Sequence, residues 1–399
     1  MNTRRSRPSA WISTGSDAPP NPVERSSFRN ACTASERAFD GRRTNSPRRT
    51  TPPAFAMPPR RISSTSSVFQ GLPPIAWRWT RQRHFCHCRE DRPWPESTGD
   101  ARRFVDLSCR PMSDALSVIV DGGLDDALAL AVLCGSSIPI DQVIATEGSV
   151  CRSVTALATK RWLVTLGVSV PVLLGADRGI RSNYPEERDP FHGVDAFGGT
   201  VSALVDASDP EDHWQDLKGT VLCTGALTVV AQALRRHQPV DDIVWMGGAV
   251  ASGGNMTAAA EFNAWMDPPA ADEVLTSGVP VRMVPLDITN RFVWGDSQIA
   301  AIGDAASSGR LLAEAIGSVH RREGWFVPHD AVAAVALLEP QLFSWSTRSV
   351  RCESAGEPTA GATIVDRRGP DRPSAVSVAD DVDVPQVNER ILAAVRRLS

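Results

Sequence analysis

From Leu116 onward, short apolar runs alternate with helical patterns, and no other feature limits the fold of this chain so strongly. "LSVIVD" (116–121) reads as a buried strand and "DDALALAVLCG" (125–135) as a helix closed by Gly135. "IDQVIAT" reads as a strand, "VTALATKRWLVTLG" as an amphipathic helix ending at Gly167, and "VPVLLG" as a third strand. "GTVLCTG" (219–225) is the next strand, followed by the helix "ALTVVAQALRRH". That helix is expected to carry Arg235, Arg236 and His237 in its last turn, where the dipole favours cations. "DDIVWMGG" and "VPVRMVPLD" are further strands, and "PPAADEVLTSG" and "HDAVAAVALLEP" further helices. Near-continuous apolar strands separated by helices predict an α/β fold with a mostly parallel central sheet flanked by helices.

In such sheets ligands bind beyond the carboxyl ends of the strands. Asp121, Thr224, Met246 and Asp287 are each expected at such an end, and His329-Asp330 opens a helix. Residues able to do chemistry therefore gather on one predicted edge.

The densest of these features is "VDGGLDDALAL", with Asp121, Asp125 and Asp126 close together between core-grade segments. Two readings apply. Carboxylates at a helix start can cap amides and meet a favourable dipole, which accounts for Asp125 and Asp126. It does not account for Asp121, at a strand end beside Gly122-Gly123. Hard oxygen ligands in this density also suit Ca²⁺ or Mg²⁺, which would offset their repulsion. Elsewhere, "VPHDAV" sets a histidine beside a carboxylate, a pairing that is usually structural. "AEFNAWMDP" (260–268) places Glu261 and Asn263 where both can face one cleft, or on a surface loop. "RDPFHGVDAFGG" (188–199), with His192 at its centre, reads as a mobile, lid-like loop or an ordinary one. Trp245, Trp265 and Trp325 lie near these motifs and suit core or rim packing.

Charge divides the chain. Residues 1–110 hold 20 Arg, no Lys and 9 Asp or Glu, while the remainder holds 22 basic and 37 acidic residues. The first segment is rich in Arg, Ser, Thr and Pro and shows no lasting apolar period, so residues 1–111 are expected to be disordered. A basic tail touching nucleic acid is one reading. A targeting peptide fits poorly with the length and the acids. The favoured reading places the segment upstream of the true start, with Met112 as initiator and 112–399 as the catalytic domain. "HFCHC" (84–88) and Cys109 resemble metal ligands, but no second pair follows at a zinc-finger interval. Eight scattered cysteines fit a reduced, cytoplasmic setting. No uncharged apolar stretch reaches the roughly 18 residues of a membrane-spanning helix.

Taken in order, "VDGGLDDALAL", "VLCTGALTVVAQAL", "IVWMGGAV…GGNMTAAAEFNAWMDPPAA", "VPLDIT" and "PHDAVA" resemble the nucleoside hydrolases of the inosine–uridine-preferring N-ribohydrolase type. "PTAGATIVDRRG" is similar to a late strand of that family. The resemblance implies a Rossmann-like nucleoside hydrolase fold, a dimer or tetramer, and hydrolysis of ribonucleosides to free base and ribose. It implies a Ca²⁺ site made of Asp121, Asp126, the Thr224 main-chain carbonyl and Asp330, with a Ca²⁺-bound water activated by Asp121. Asp125 would hold a ribose hydroxyl. Asn255, Glu261 and Asn263 would hold the rest of the ribose, with Met246 packing nearby. His192 would close over the base, and His329 would stand beside the leaving base as general acid, tilting the preference towards inosine–uridine or pyrimidine substrates.

Several features depart from the family pattern. Ile119 stands where a first aspartate is usual, Gly122 where a proline is usual, Ser149 where an asparagine is usual, and the "GGN" turn carries one residue more; they bear on rate and substrate choice more than on fold. Ile119 and Ser149 motivate a second expectation, a homologue that binds nucleoside or ribose without efficient hydrolysis. Association with nucleic acid through the N-terminal segment is the weaker alternative.

Overall fold

The structure, a computed structural model, describes residues 115–176, 191–210, 212–305, 307–368 and 376–398. The expectations for residues 1–111, including the disordered tail and the "HFCHC" cluster, lie outside the described residues, as do Met112 and positions 188–190 of the His192 loop.

Nine strands form one sheet: β1 (Leu116–Val120), β2 (Gln142–Ala145), β3 (Val172–Leu174), β4 (Gly219–Cys223), β5 (Val240–Met246), β6 (Val281–Val284), β7 (Phe343–Cys352), β8 (Thr363–Asp366) and β9 (Val376–Val382). Their order is β3-β2-β1-β4-β5-β6-β9-β7-β8. Pairing is parallel from β3 through β9, and antiparallel where β7 joins β9 and β8. The mostly parallel sheet expected from the alternation is therefore present, with an antiparallel extension at one side.

The helices are α1 (Leu124–Gly135), α2 (Arg152–Thr165), α3 (Thr228–Arg235), α4 (Phe262–Met266), α5 (Pro268–Leu275), α6 (Leu286–Thr289), α7 (Asp296–Gly303), α8 (Ser307–Glu323), α9 (His329–Leu338) and α10 (Val384–Arg396). Strand β1 is buried along its whole length because each face meets a different core. Val118 and Val120 join the core that contains α1, α9 and α10, while Ile119 joins the one that contains α3 and α5. This is why its sequence is continuously apolar rather than alternating. Helix α1 is buried on nearly every side and packs against α9 and α10, so it too lacks a polar stripe. A Cβ on Gly135 would stand 2.0 Å from the Ala394 carbonyl oxygen, so the α1–α10 approach requires glycine there.

Two boundaries differ from the sequence expectation. Helix α3 ends at Arg235, and His237 lies beyond it with φ of 55°, so only Arg235 occupies the last turn. Asp287 does not end a strand: β6 stops at Val284 and Asp287 sits in the α6 turn. Pro285 breaks the ladder because it has no N–H to offer a neighbouring strand.

Candidate active site

The chain leaves β1 at Asp121, turns through Gly122 with φ of 93°, and enters α1 from Gly123. That turn brings three successive N–H groups onto one oxygen. Asp126 Oδ2 accepts from Asp121 (3.2 Å), Gly122 (2.9 Å) and Gly123 (2.9 Å). The capping interpretation of Asp126 is thus realised in its geometry, but only one of its oxygens is used. The other, Oδ1, lies 2.6 Å from the Thr224 hydroxyl, which also lies 2.8 Å from the Ile119 carbonyl oxygen. The Ile119 carbonyl already accepts the Thr224 N–H at 2.9 Å, so the Thr224 hydroxyl donates to Asp126 Oδ1.

Burial and the neighbouring Asp125 push the Asp126 pKa up to about 7, against the opposing hydrogen bonds. Burial, with Asp126 and Asp125 beside it, holds Asp121 well above the ordinary carboxylate range. Asp330, at the start of α9, is raised by burial and then by Asp125, Asp126 and Asp121, and its side chain is hydrogen-bonded to Asp125. Four carboxylates from two distant segments therefore share one buried volume. Without a cation, Asp121, Asp126 and Asp330 are pushed towards their protonated forms.

Asp121 is also boxed in by missing atoms. A Cβ on Gly148 would lie 2.2 Å from the Asp121 carbonyl oxygen, and one on Gly225 2.8 Å from the Asp121 Cβ. Both glycines leave room for this single residue. Ser149, next to Gly148, is half-buried.

Asn263 closes the site from α4. Its Nδ2 donates to the main-chain oxygens of Thr224 (2.9 Å) and Met246 (3.0 Å). Its Oδ1 is buried with no hydrogen-bond partner. Glu261, the N-cap of α4, accepts from Asn263 N, Ala264 N and Gly248 N. Burial raises its pKa against these bonds. Asn255 is exposed, and its Oδ1 accepts from Phe262 N at 2.9 Å. The structure thus gathers Asp121, Asp125, Asp126, Thr224, Asn263 and Asp330 closely, with Glu261 and Met246 behind. It leaves Asn255 at the surface.

Two histidines face Asp125. Leu124 N–H donates to His192 Nδ1 at 3.1 Å, which assigns the His192 proton to Nε2, 3.6 Å from Asp125 Oδ1. Burial lowers the His192 pKa, Asp125 opposes that, and Arg322 adds to it. His329 is pushed down to about 4 by burial, with Asp125 opposing and His192 reinforcing. At neutral pH both rings are uncharged.

The described part of the His192 loop is tightly internally bonded. Asp195 accepts from Phe197 N, Gly199 N and Val201 N, and Arg322 donates to the Phe191 carbonyl. Sequence reasoning missed Asp195 as the organiser, although an aspartate within a Gly-rich turn is a known local signal. Phe191 packs against His192 and against Trp325, which is 45% exposed and forms part of the rim. Trp245 is fully buried and donates to the Gly225 carbonyl at 3.2 Å, so it is core.

Among the described residues, no three His, Cys, Asp or Glu side chains are already gathered in ligand geometry for a metal. The donor chemistry still fits a hard divalent cation. Asp121, Asp126, Asp330 and the Thr224 carbonyl offer oxygens only, and the raised carboxylate pKa values mark a deficit of positive charge. No described helix is long and apolar enough to cross a membrane.

Comparison with known proteins identifies the family. Residues 118–389 match the family model described as inosine-uridine preferring nucleoside hydrolase. The pyrimidine-specific ribonucleoside hydrolase RihA of Photobacterium profundum is 33% identical over 297 residues, covering 68% of this chain and 95% of that protein. RihA of Escherichia coli O81 is 31% identical, covering 63% and 89%. Among solved structures, the purine-preferring ribonucleoside hydrolase from Gardnerella vaginalis superposes with a TM-score of 0.63 at 26% identity, covering 71% of this chain and 98% of that one. A plant nucleoside hydrolase, PpNRh1, shares the fold with a TM-score of 0.63 at 24% identity, covering 71% and 98%. This chain is a nucleoside hydrolase, a member of the inosine-uridine preferring nucleoside hydrolase family.

Proposed function

We propose that this protein cleaves the N-glycosidic bond of ribonucleosides with Asp121 as general base, at a Ca²⁺ site formed by Asp121, Asp126, Asp330 and the Thr224 carbonyl. The carrying observation is the buried cluster of four carboxylates, in which burial and then mutual repulsion raise the pKa values of Asp121, Asp126 and Asp330. When bound, Ca²⁺ would neutralise this cluster and make a water more acidic.

The remaining work falls to the chain's own groups. Asp121 accepts the proton of the attacking water. Asp125 and Asn263, whose Oδ1 lacks a partner, accept hydrogen bonds from ribose hydroxyls and fix the sugar while positive charge develops at its anomeric carbon. Glu261, Ser149 and Asn255 support the sugar's outer edge, and Met246 packs beside it. His192 closes over the base. His329 stabilises the departing base, either as general acid or as hydrogen-bond donor. Its neutral form favours the second of these roles. The RihA relatives are described as pyrimidine-specific, and His329 points the same way, so uridine, cytidine and inosine are the expected substrates. The catalytic unit is residues 112–399, acting in the cytoplasm in base and ribose salvage as a dimer or tetramer.

The test is to assay 112–399 and the full chain against a ribonucleoside panel for released reducing sugar, with EDTA and with added Ca²⁺. Turnover that EDTA abolishes and Ca²⁺ restores supports the proposal, and loss on Asp121→Ala with retained fold supports the base assignment. Ca²⁺ binding with no turnover of any ribonucleoside would instead favour the second reading, a homologue that binds without hydrolysing. Ile119 and Ser149 are what motivate that reading.

A further inference from the structure

Helix α6 is a single turn, "LDIT", whose two apolar residues are buried and whose two polar ones hold different walls of the site. Asp287 accepts from Val250 N (2.7 Å), Ala251 N (2.8 Å) and Ser252 N (2.9 Å), which shapes the segment after β5. Thr289 is fully buried, and its hydroxyl lies 2.7 Å from His329 Nδ1.

A threonine in a helical turn commonly sends its O–H to the carbonyl four residues back. Here the Pro285 carbonyl takes the Thr289 N–H at 3.1 Å. Among the described residues, the Thr289 hydroxyl has no hydrogen-bond partner other than His329 Nδ1. A buried O–H left without an acceptor is costly, so the hydroxyl proton points at Nδ1. Nδ1 then carries a lone pair, and the neutral ring keeps its one hydrogen on Nε2. No described group hydrogen-bonds Nε2 of His329. His192 reaches the same tautomer through a main-chain donor, Leu124 N–H, so both rings carry an Nε2 hydrogen.

We propose that Thr289 is a positioning residue that donates to His329 Nδ1 and thereby holds His329 as the Nε2–H tautomer, keeping a hydrogen-bond donor available to the departing base. This rests on the reading of His329 as the residue beside the leaving base. It adds no covalent step: the electron pair of the broken bond goes to the base, and the Nε2–H steadies it.

The test compares Thr289→Val, Thr289→Ser and His329→Gln in the full chain. Imidazole ¹⁵N–¹H correlation spectra, with the His329 signals identified by their absence in His329→Gln, should show the Nε2–H tautomer in the unaltered protein and in Thr289→Ser. Thr289→Val should show a mixture. Finding the Nδ1–H tautomer in the unaltered protein, or no change in Thr289→Val, overturns the proposal whatever the activities are. Kinetics give the second readout. For the better of uridine and inosine, kcat/KM in Thr289→Val should fall about tenfold further than for p-nitrophenyl ribofuranoside, whose leaving anion needs no donor. Thr289→Ser should restore the ratio. If His329→Gln shows no such leaving-group dependence, the role assigned to His329 fails. If His329→Gln shows it and Thr289→Val does not, the positioning role fails alone.

Discussion

Asn263 and Thr224 are joined by a 2.9 Å hydrogen bond from the Asn263 side-chain nitrogen to the Thr224 main-chain oxygen. Under the proposed roles, one for ribose and the other for the cation, this bond makes sugar and ion sites share a wall. Changing Asn263 to Asp removes both donors to main-chain oxygens and adds a further carboxylate to the buried cluster. Asn263→Asp should lower kcat/KM by on the order of 100-fold and cost about 2–4 kcal/mol of stability. Asn263→Ala should cost less stability while losing similar activity. Urea unfolding beside the reducing-sugar assay checks both.

The proposed cation site predicts a link between metal, pH and stability. In metal-free protein the unfolded carboxylates lose their protons near pH 4, whereas Asp126 keeps its proton up to about pH 7. Between those values the native state binds more protons, so stability of the EDTA-treated protein should fall as pH rises from about 4 to about 7. Ca²⁺ at about 100 times its dissociation constant should restore ~2.7 kcal/mol. In a domain of this size that is a rise in Tm of about 4–5 °C. Thermal scans at pH 5 and pH 7.5, with and without Ca²⁺, test the sign, and a Ca²⁺ effect no larger at pH 7.5 than at pH 5 would contradict it.

Ile119 is fully buried, with Ile144 and Cys223 as its neighbours across the sheet. Restoring the carboxylate expected at this position would place it in an apolar core without a partner. Ile119→Asp should therefore destabilise the protein by about 3 kcal/mol or more and should not raise activity. A gain in kcat/KM from that change would show that Asp121 lacks support in the present sequence.

Gly148→Ala sets a methyl group against the Asp121 carbonyl oxygen, which must move. The expected cost is about 1–3 kcal/mol in stability. The accompanying loss in kcat should exceed tenfold because a shift of about 1 Å at a reacting group is expensive. Thermal scans and initial rates on one preparation separate the two effects.

Much of this was legible in the sequence because parallel strands buried on both faces are continuous apolar runs. β1, β4, β5 and β6 announce themselves, and the rule of carboxyl ends then locates Asp121, Thr224 and Met246. β7, "FSWSTRSVRC", escaped because only a few of its side chains are buried, so its apolar pattern is neither continuous nor cleanly alternating. Asp287 was misplaced because "VPVRMVPLD" continues the apolar pattern past the point where Pro285 ends the ladder. The link from Thr289 to His329 spans 40 residues and depends on one hydroxyl rotor, which no spacing rule encodes. The same limit hid the shared wall between Asn263 and Thr224.

The two glycines flanking Asp121 carry a consequence for how this enzyme can vary. A catalytic group is usually guarded by the side chains that bond to it, and a lineage can exchange those one at a time. Here part of the guard is empty space, and nothing smaller than hydrogen exists to replace it. Almost any change at Gly148 or Gly225 intrudes on Asp121, so a chain can keep every chemically active side chain intact and still fall silent.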